Sequence, residues 1–318
     1  MTCMMLATTS TVFQYFADSV YYGSFFALIS LSLSLLFGVM GLMNFAYGEL
    51  IMAGAYVMFY TRGWGWFAMI CMTILIVTIL SLLMELIAFR PLRRAEPVVL
   101  LITSFAISYG LEALGWMTVG SGIQKGVTPY PWLTTQFNVS GVLISNLEIV
   151  TWVVTVGLLV AMVFVIQRTA LGIRLRASTE DFRMAQLVGV RANWVISAAF
   201  GITGVLASVV ALLYTFRSGA IAPDIGQGPL LVAFVGGVIG GLGSLTGAAI
   251  GGFTLGVLLN VLQAVLPQSI NNHFQLFAFA AVIAILVFQP DGLIAIRVGF
   301  ARRWWERFRP DAPQGASA

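Results

Sequence analysis

Four carboxylates, Glu49, Glu85, Glu112 and Glu148, stand within or beside long apolar stretches of this 318-residue chain. A charge at the centre of a bilayer costs about 2.5–3.5 kcal/mol on insertion scales, so each must face protein, water or the interface. None has an obvious basic partner in the spans. Glu85 lies five residues before Arg90 and Glu148 stands at a predicted helix start, which suits the interface for both. Glu49 and Glu112 lie deeper and are candidates to line a route for a polar solute. Other chemistry is sparse: one histidine, His273, two cysteines, Cys3 and Cys71, and one lysine, Lys125. These offer no metal cluster and no disulfide framework, and there is no His-Glu-x-x-His. A Gly-x-x-x-x-Gly-Lys-Ser/Thr phosphate loop is also missing, so the chain is expected to hydrolyse no nucleotide, to hold no cofactor or metal of its own, and not to be an enzyme.

The elements that must position these residues are membrane helices. Hydrophobic residues make up 59% of the chain, charged residues only 9%, and mean hydropathy is +0.97, whereas a soluble domain carries about 25% charged residues. Apolar stretches cover 20–40, 45–61, 66–88, 98–119, 150–166, 194–213, 230–242, 245–266 and 274–288. Alternating barrel strands are absent, so an all-α polytopic bundle of eight or nine spans is expected, as a single transmembrane domain over 1–318. That leaves no room for a fused ATPase, receptor domain or nucleic-acid-binding domain. Arg90, Arg93, Arg94, Arg168, Arg174, Arg176, Arg183, Arg191, Arg297, Arg302, Arg303, Arg307 and Arg309 collect on one side; Arg62, Lys125 and Arg217 fall on the other. The positive-inside rule makes the first side cytoplasmic, with the 290–318 tail inside. No Lys or Arg precedes Thr61, so the n-region of a cleavable signal peptide is missing and the N-terminus is expected to stay on.

Two apolar segments are irregular. Residues 41–50 carry Gly41, Asn44, Gly48 and Glu49; residues 236–252 carry eight glycines. Broken helices in corresponding places of two halves point to a solute site, so Gly41, Asn44, Gly48 and Glu49 are assigned to a translocation pathway. The alternative for Asn44 is a helix cap. Gly243, Gly247 and Gly251 recur every four residues, the spacing that lets two helices pack closely. In the cytoplasmic segment 168–194, Ser178 and Asp181 have the form of a capping box, and Met184, Leu187 and Val188 share one helical face. A short amphipathic helix is therefore expected over 178–190, closed by Gly189 and fixed rigidly to two spans, as docking for a cytoplasmic partner requires.

This segment resembles the coupling loop of ABC-importer permeases, in which an Ala, three residues and a Gly lie in a helix-turn-helix gripped by an ATPase; Ala185 and Gly189 have that spacing. Arg183 and Met184 stand where the general motif has Glu-Ala. The run Leu-Gly-Ile-Arg-Leu-Arg-Ala at 171–177 followed by Glu180-Asp181 is similar to the branched-chain amino acid permeases. So is 38–49, Gly-Val-Met-Gly-Leu-Met-Asn-Phe-Ala-Tyr-Gly-Glu, although Tyr47 replaces the family's usual His, and so is Gln289-Pro290-Asp291-Gly292-Leu293. The resemblance implies the smaller, first permease subunit of an ATP-driven importer in a bacterial inner membrane. Its partners would be a second permease, two ATP-binding subunits carrying ATP-Mg, and a periplasmic substrate-binding protein. Ser178, Glu180, Asp181, Met184, Ala185 and Gly189 would couple it to the ATPase. Urea and short-chain amide permeases share these signatures, and a secondary transporter or channel without an ATPase is the remaining alternative.

Overall fold

The computed structural model describes residues 2–265 apart from 42–43, 94, 120–123, 126–129, 140–141, 181–183, 186–190 and 242. The expected span at 274–288, His273 and the basic tail lie outside them. The elements are α1 (Thr2–Met40), α2 (Tyr47–Thr61), α3 (Trp66–Met84) running into a π-helical turn (Glu85–Phe89), α4 (Pro97–Val119), β1 (Gln124–Lys125), α5 (Pro131–Thr134), β2 (Gln136–Val139) and β3 (Val142–Ser145). Then come α6 (Asn146–Arg168), α7 (Ala170–Glu180), α8 (Ala192–Ser218), β4 (Ala220–Ile221), α9 (Gln227–Gly240) and α10 (Leu245–Val265). The chain is an all-α membrane bundle, with two small antiparallel ladders, β1 with β4 and β2 with β3. Sequence patterning shows no sign of those ladders, because two to four residues are too few for a period.

Among the described residues six helices, in α1, α3, α4, α6, α8 and α10, are long and apolar enough to cross a membrane. Helices α2 and α9 have 15 and 14 residues, about 21–23 Å at 1.5 Å per residue and short of a hydrocarbon core of about 30 Å. They are half-helices. The chain turns sharply between elements where glycine permits it: Gly41 (φ 67°) ends α1 and Gly219 (φ 63°) ends α8 in the left-handed conformation.

Burial separates an inner from an outer ring. The apolar window of α1 is 83% buried, whereas those of α4 and α6 are 22% buried. Helix α1 packs on α6, α8, α9 and α10, with Phe25, Leu28, Ile29 and Leu33 in a core shared with Ala207, Val210, Ala233 and Leu255. The α1–α10 approach is backbone to backbone: a methyl on Gly256 would lie 2.6 Å from the Tyr22 carbonyl oxygen and 2.8 Å from the Cα of Gly23. Polar atoms on this seam are satisfied across it. The Ser30 hydroxyl donates to the Ala233 carbonyl at 2.6 Å, the Gly243 N–H to the Ser34 hydroxyl at 3.2 Å, and the Asn260 amide to the Ser19 hydroxyl at 2.9 Å.

The Gly-rich stretch breaks into the α9–α10 hairpin, turning at Gly241 (φ 92°) and Gly243 (φ 91°). Gly247 lies against the Gly240 carbonyl and Gly251 against that of Gly236. Gly243 departs from the expected stripe: it occupies the turn, where its positive φ excludes other residues, and is not on the packed face.

Candidate functional site

Half-helices α2 and α9 begin beside each other, deep in the bundle. A side chain on Gly226, the residue before α9, would overlap the Gly48 carbonyl, and a methyl on Gly48 would come within 3.1 Å of the Gly226 carbonyl oxygen. Two backbones cross here and bring two helix N-termini to one place; the first N–H of each helix donates to a preceding carbonyl, Tyr47 to Asn44 at 3.3 Å and Gln227 to Asp224 at 3.1 Å. The surroundings are polar. Glu49 is 1% exposed and stands in the first turn of α2, where a helix N-terminus favours a carboxylate. Its Oε1 accepts from the Ser108 hydroxyl at 2.9 Å, at the midpoint of α4, while Oε2 has no partner among the described residues. One turn further along α4, Glu112 Oε2 accepts from the Gln227 amide at 2.6 Å, in the first turn of α9.

Asn44 is 2% exposed. Its Oδ1 accepts from the Ala46 N–H at 3.1 Å, shaping the turn into α2, and its Nδ2 is buried with no partner among the described residues. The side chain thus makes a turn with one atom and leaves the other uncommitted. Below it Phe45 stacks on Phe105 of α4 at 4.4 Å and lies 5.5 Å from the Phe234 ring of α9, closing the polar cluster with aromatic rings. Gly41 is not in this cluster. It lies at the end of α1 and lines a cavity of about 610 Å³ with Arg93, Ser178, Ile196 and Gly243. Of the four pathway candidates, Asn44, Gly48 and Glu49 come together and Gly41 stands apart. Ser108, Gly226 and Gln227 belong to the cluster and carry no signal in the sequence, since each is an ordinary small or polar residue until the fold brings it against α2.

At the end of the bundle where α1 stops, the segment 168–194 differs from expectation. A helix covers Ala170–Glu180, so Ser178 stands near a helix end and not at a start. It is buried, and its hydroxyl donates to the Arg174 carbonyl one turn back at 2.8 Å. The cap is made nine residues earlier, where the Thr169 hydroxyl accepts from the Gly172 N–H at 3.2 Å. The physical reason is packing: Leu175 of α7 joins Phe89, Val195, Ala199 and Phe200 in a core, and Arg174 lies 5.5 Å over the Trp194 ring. Glu180 is the last residue of α7; Met184 is helical and exposed, Ala185 is buried, and Asp181 and Gly189 lie outside the described residues.

The two interfacial acids, Glu85 and Glu148, have basic partners. Glu85 opens the π-helical turn, pairs with Arg93 rather than Arg90, and accepts from the Ser197 hydroxyl at 2.8 Å; Arg93 also reaches Asn193. At the opposite end Glu148 forms a capping box with Ser145 and meets Arg217 of α8 at 3.3 Å, with Asp18 of α1 at 3.9 Å from the same guanidinium. Among the described residues no group of three or more His, Cys, Asp or Glu could hold a metal ion.

A multi-pass helix bundle with two half-helices meeting over a buried polar cluster has the build of a membrane transport subunit. Residues 15–286 match the family described as "Branched-chain amino acid transport system / permease component", and the chain belongs to that family. It is 30% identical to the high-affinity branched-chain amino acid transport system permease protein BraD of Pseudomonas aeruginosa, over 88% of this chain and 95% of that protein. It is likewise 30% identical to the corresponding permease LivH of Escherichia coli K12, over 90% and 97%. A more distant relative is the autoinducer 2 import system permease protein LsrC of Yersinia enterocolitica, at 24% over 67% and 62%. No solved structure matches the chain.

Proposed function

We propose that this chain is the first permease subunit of an ATP-driven importer for branched-chain or other hydrophobic amino acids in a bacterial inner membrane. It would work as one transmembrane domain with a second permease, two ATP-binding subunits that carry ATP-Mg, and a periplasmic substrate-binding protein. The observation that carries this reading is the 30% identity to BraD and LivH along almost the whole of each chain. The cluster of Asn44, Gly48 and Glu49 with Ser108, Gly226 and Gln227 lines the translocation route. The 168–194 segment takes the push of the ATPases: α7 is rooted in the bundle through Leu175 and Arg174, and Met184 is an apolar side chain left exposed next to it. A rigid element gripped from outside transmits displacement to packed helices, which switch between discrete arrangements.

Cells should take up labelled leucine only when this chain, the second permease, the ATP-binding subunits and a binding protein are produced together, and a detergent extract should bring down the ATPase in fixed ratio. Uptake of urea in place of leucine would move the solute class, and uptake without an ATPase would remove the importer reading. For orientation, in a background without Cys3 and Cys71, a cysteine near Lys125 should react with an impermeant thiol reagent added outside. One near Arg307 should be protected; labelling there would invert the topology.

A further inference from the structure

Among the described residues, the acids of the polar cluster have no basic partner. The Glu49 carboxylate is almost fully buried with one oxygen on Ser108 and the other unpartnered. Glu112 stands one turn beyond Ser108 on α4, a spacing that puts Cβ atoms within about 5–6 Å, and its two oxygens accept from Gln227 at 2.6 Å and from the Trp116 indole at 3.3 Å. Asp224, three residues before Gln227, adds its charge to the field at Glu49. The ion pairs described above engage Glu85, Glu148 and Asp18 and leave these three acids aside. The two helix N-termini supply partial positive charge, but their dipoles amount to fractions of a charge and donate only through backbone N–H groups. A buried oxygen without a donor costs about 1–3 kcal/mol or more when charged, so a donor is wanted at Oε2.

The group that fits at Oε2 is small, cationic and rich in donors. A primary ammonium has these properties. The Phe45, Phe105 and Phe234 rings beside the cluster offer an apolar wall for whatever the ammonium carries. The geometry points to Glu49 and Glu112 as the receiving site for the α-ammonium group of the amino acid in transit, reached when α2 and α9 part at the Gly48–Gly226 crossing. This rests on the amino acid reading given above and names the part of the solute that the route holds. The same acids would exert little hold on an uncharged solute.

The test uses the complete importer in proteoliposomes and reads leucine delivered per ATP hydrolysed, a ratio that a loss of folded protein does not move. Glu49→Gln keeps the size and the Ser108 contact and removes the charge; the ratio should fall about tenfold or more, as expected for losing a charge-assisted hydrogen bond. Glu49→Asp should recover part of it, and Glu112→Gln, at a less buried position, should show a smaller fall. Replacing sodium and potassium by choline should leave the wild-type ratio unchanged. An unchanged ratio in both Gln variants overturns the inference, as does a fall in yield and melting temperature with the ratio intact, which would make the acids structural. Loss of wild-type transport in choline would assign the acids to an inorganic cation instead. If the wild type moves no leucine at all, the amino acid reading fails; if it does and the Gln variants match it, only the ammonium site fails.

Discussion

Glycine brings backbones together in two regions of this molecule, and the company it keeps differs. In the α9–α10 hairpin, Gly236 and Gly240 receive Gly251 and Gly247 amid Ile239, Ala233 and Leu255. At the crossing of the half-helices, Gly48 meets Gly226 among Asn44, Glu49, Ser108, Glu112 and Gln227. A dry glycine contact fills space, and a side chain added there must displace backbone. A glycine contact ringed by incompletely paired polar groups is a place where two elements touch without being glued, and such a contact can open. Spacing alone does not separate the two cases.

The comparison can be broken at its dry end first. Gly251→Leu drives a side chain into the Gly236 carbonyl and the Gly240 backbone, an overpacking expected to cost about 3 kcal/mol or more. Little folded subunit should be recovered, by yield and by melting temperature in detergent; a well-folded variant would show the hairpin to be as openable as the crossing. Next, Gly226→Ala should cost about 1–3 kcal/mol because α2 and α9 can move apart. Folded protein should persist while transport fails, and a variant that transports normally would detach the crossing from the route. Ser108→Ala removes the donor to Glu49 Oε1 and should cost about 1–3 kcal/mol, seen as a lower melting temperature with altered uptake. The smallest effect is expected at Asn44: Ser can still accept from the Ala46 N–H, so Asn44→Ser should cost under about 1 kcal/mol yet change the rate of uptake, while Asn44→Leu abolishes it. Wild-type uptake in Asn44→Ser would reduce Asn44 to a turn residue.

Most of the bundle is legible from hydropathy: the apolar stretches beginning at 45, 66, 98, 194 and 245 each coincide with a helix to within a few residues. Helix α1 is longer than its apolar core because nothing from Thr2 onward stops a helix, and Gly41 is the first residue to end it. That the segments 41–50 and 236–252 are irregular is also visible, since Gly and Asn are costly inside helices, although the sequence does not mark where within them the turns fall. Pairing between distant segments is not. Arg93 with Glu85 lies within reach of sequence reasoning, but Arg217 with Glu148 and Ser108 with Glu49 join positions 69 and 59 residues apart. The misplaced cap has a different origin: Ser178 and Asp181 satisfy a spacing rule, but Leu171 and Leu175 bury a helix that is already under way, and tertiary burial outweighs a local cap worth about 1 kcal/mol.

The seam between α1 and the α9–α10 hairpin also bears on how the protein is made. Ser30, Ser34 and Ser19 on the first helix find their partners at Ala233, Gly243 and Asn260, more than 200 residues later in the chain. At about 5–20 residues per second of synthesis, the ribosome spends roughly 10–40 s between them. Helix α1 therefore waits that long for its partners in the hairpin, although α6 and α8 reach it earlier, and these hydroxyls must be carried meanwhile by their own backbone carbonyls, as Ser32 already is by Leu28. A nascent chain interrupted before Gln227 is left with a central helix exposing small residues and polar atoms to lipid, a form that membrane quality control has physical grounds to recognise.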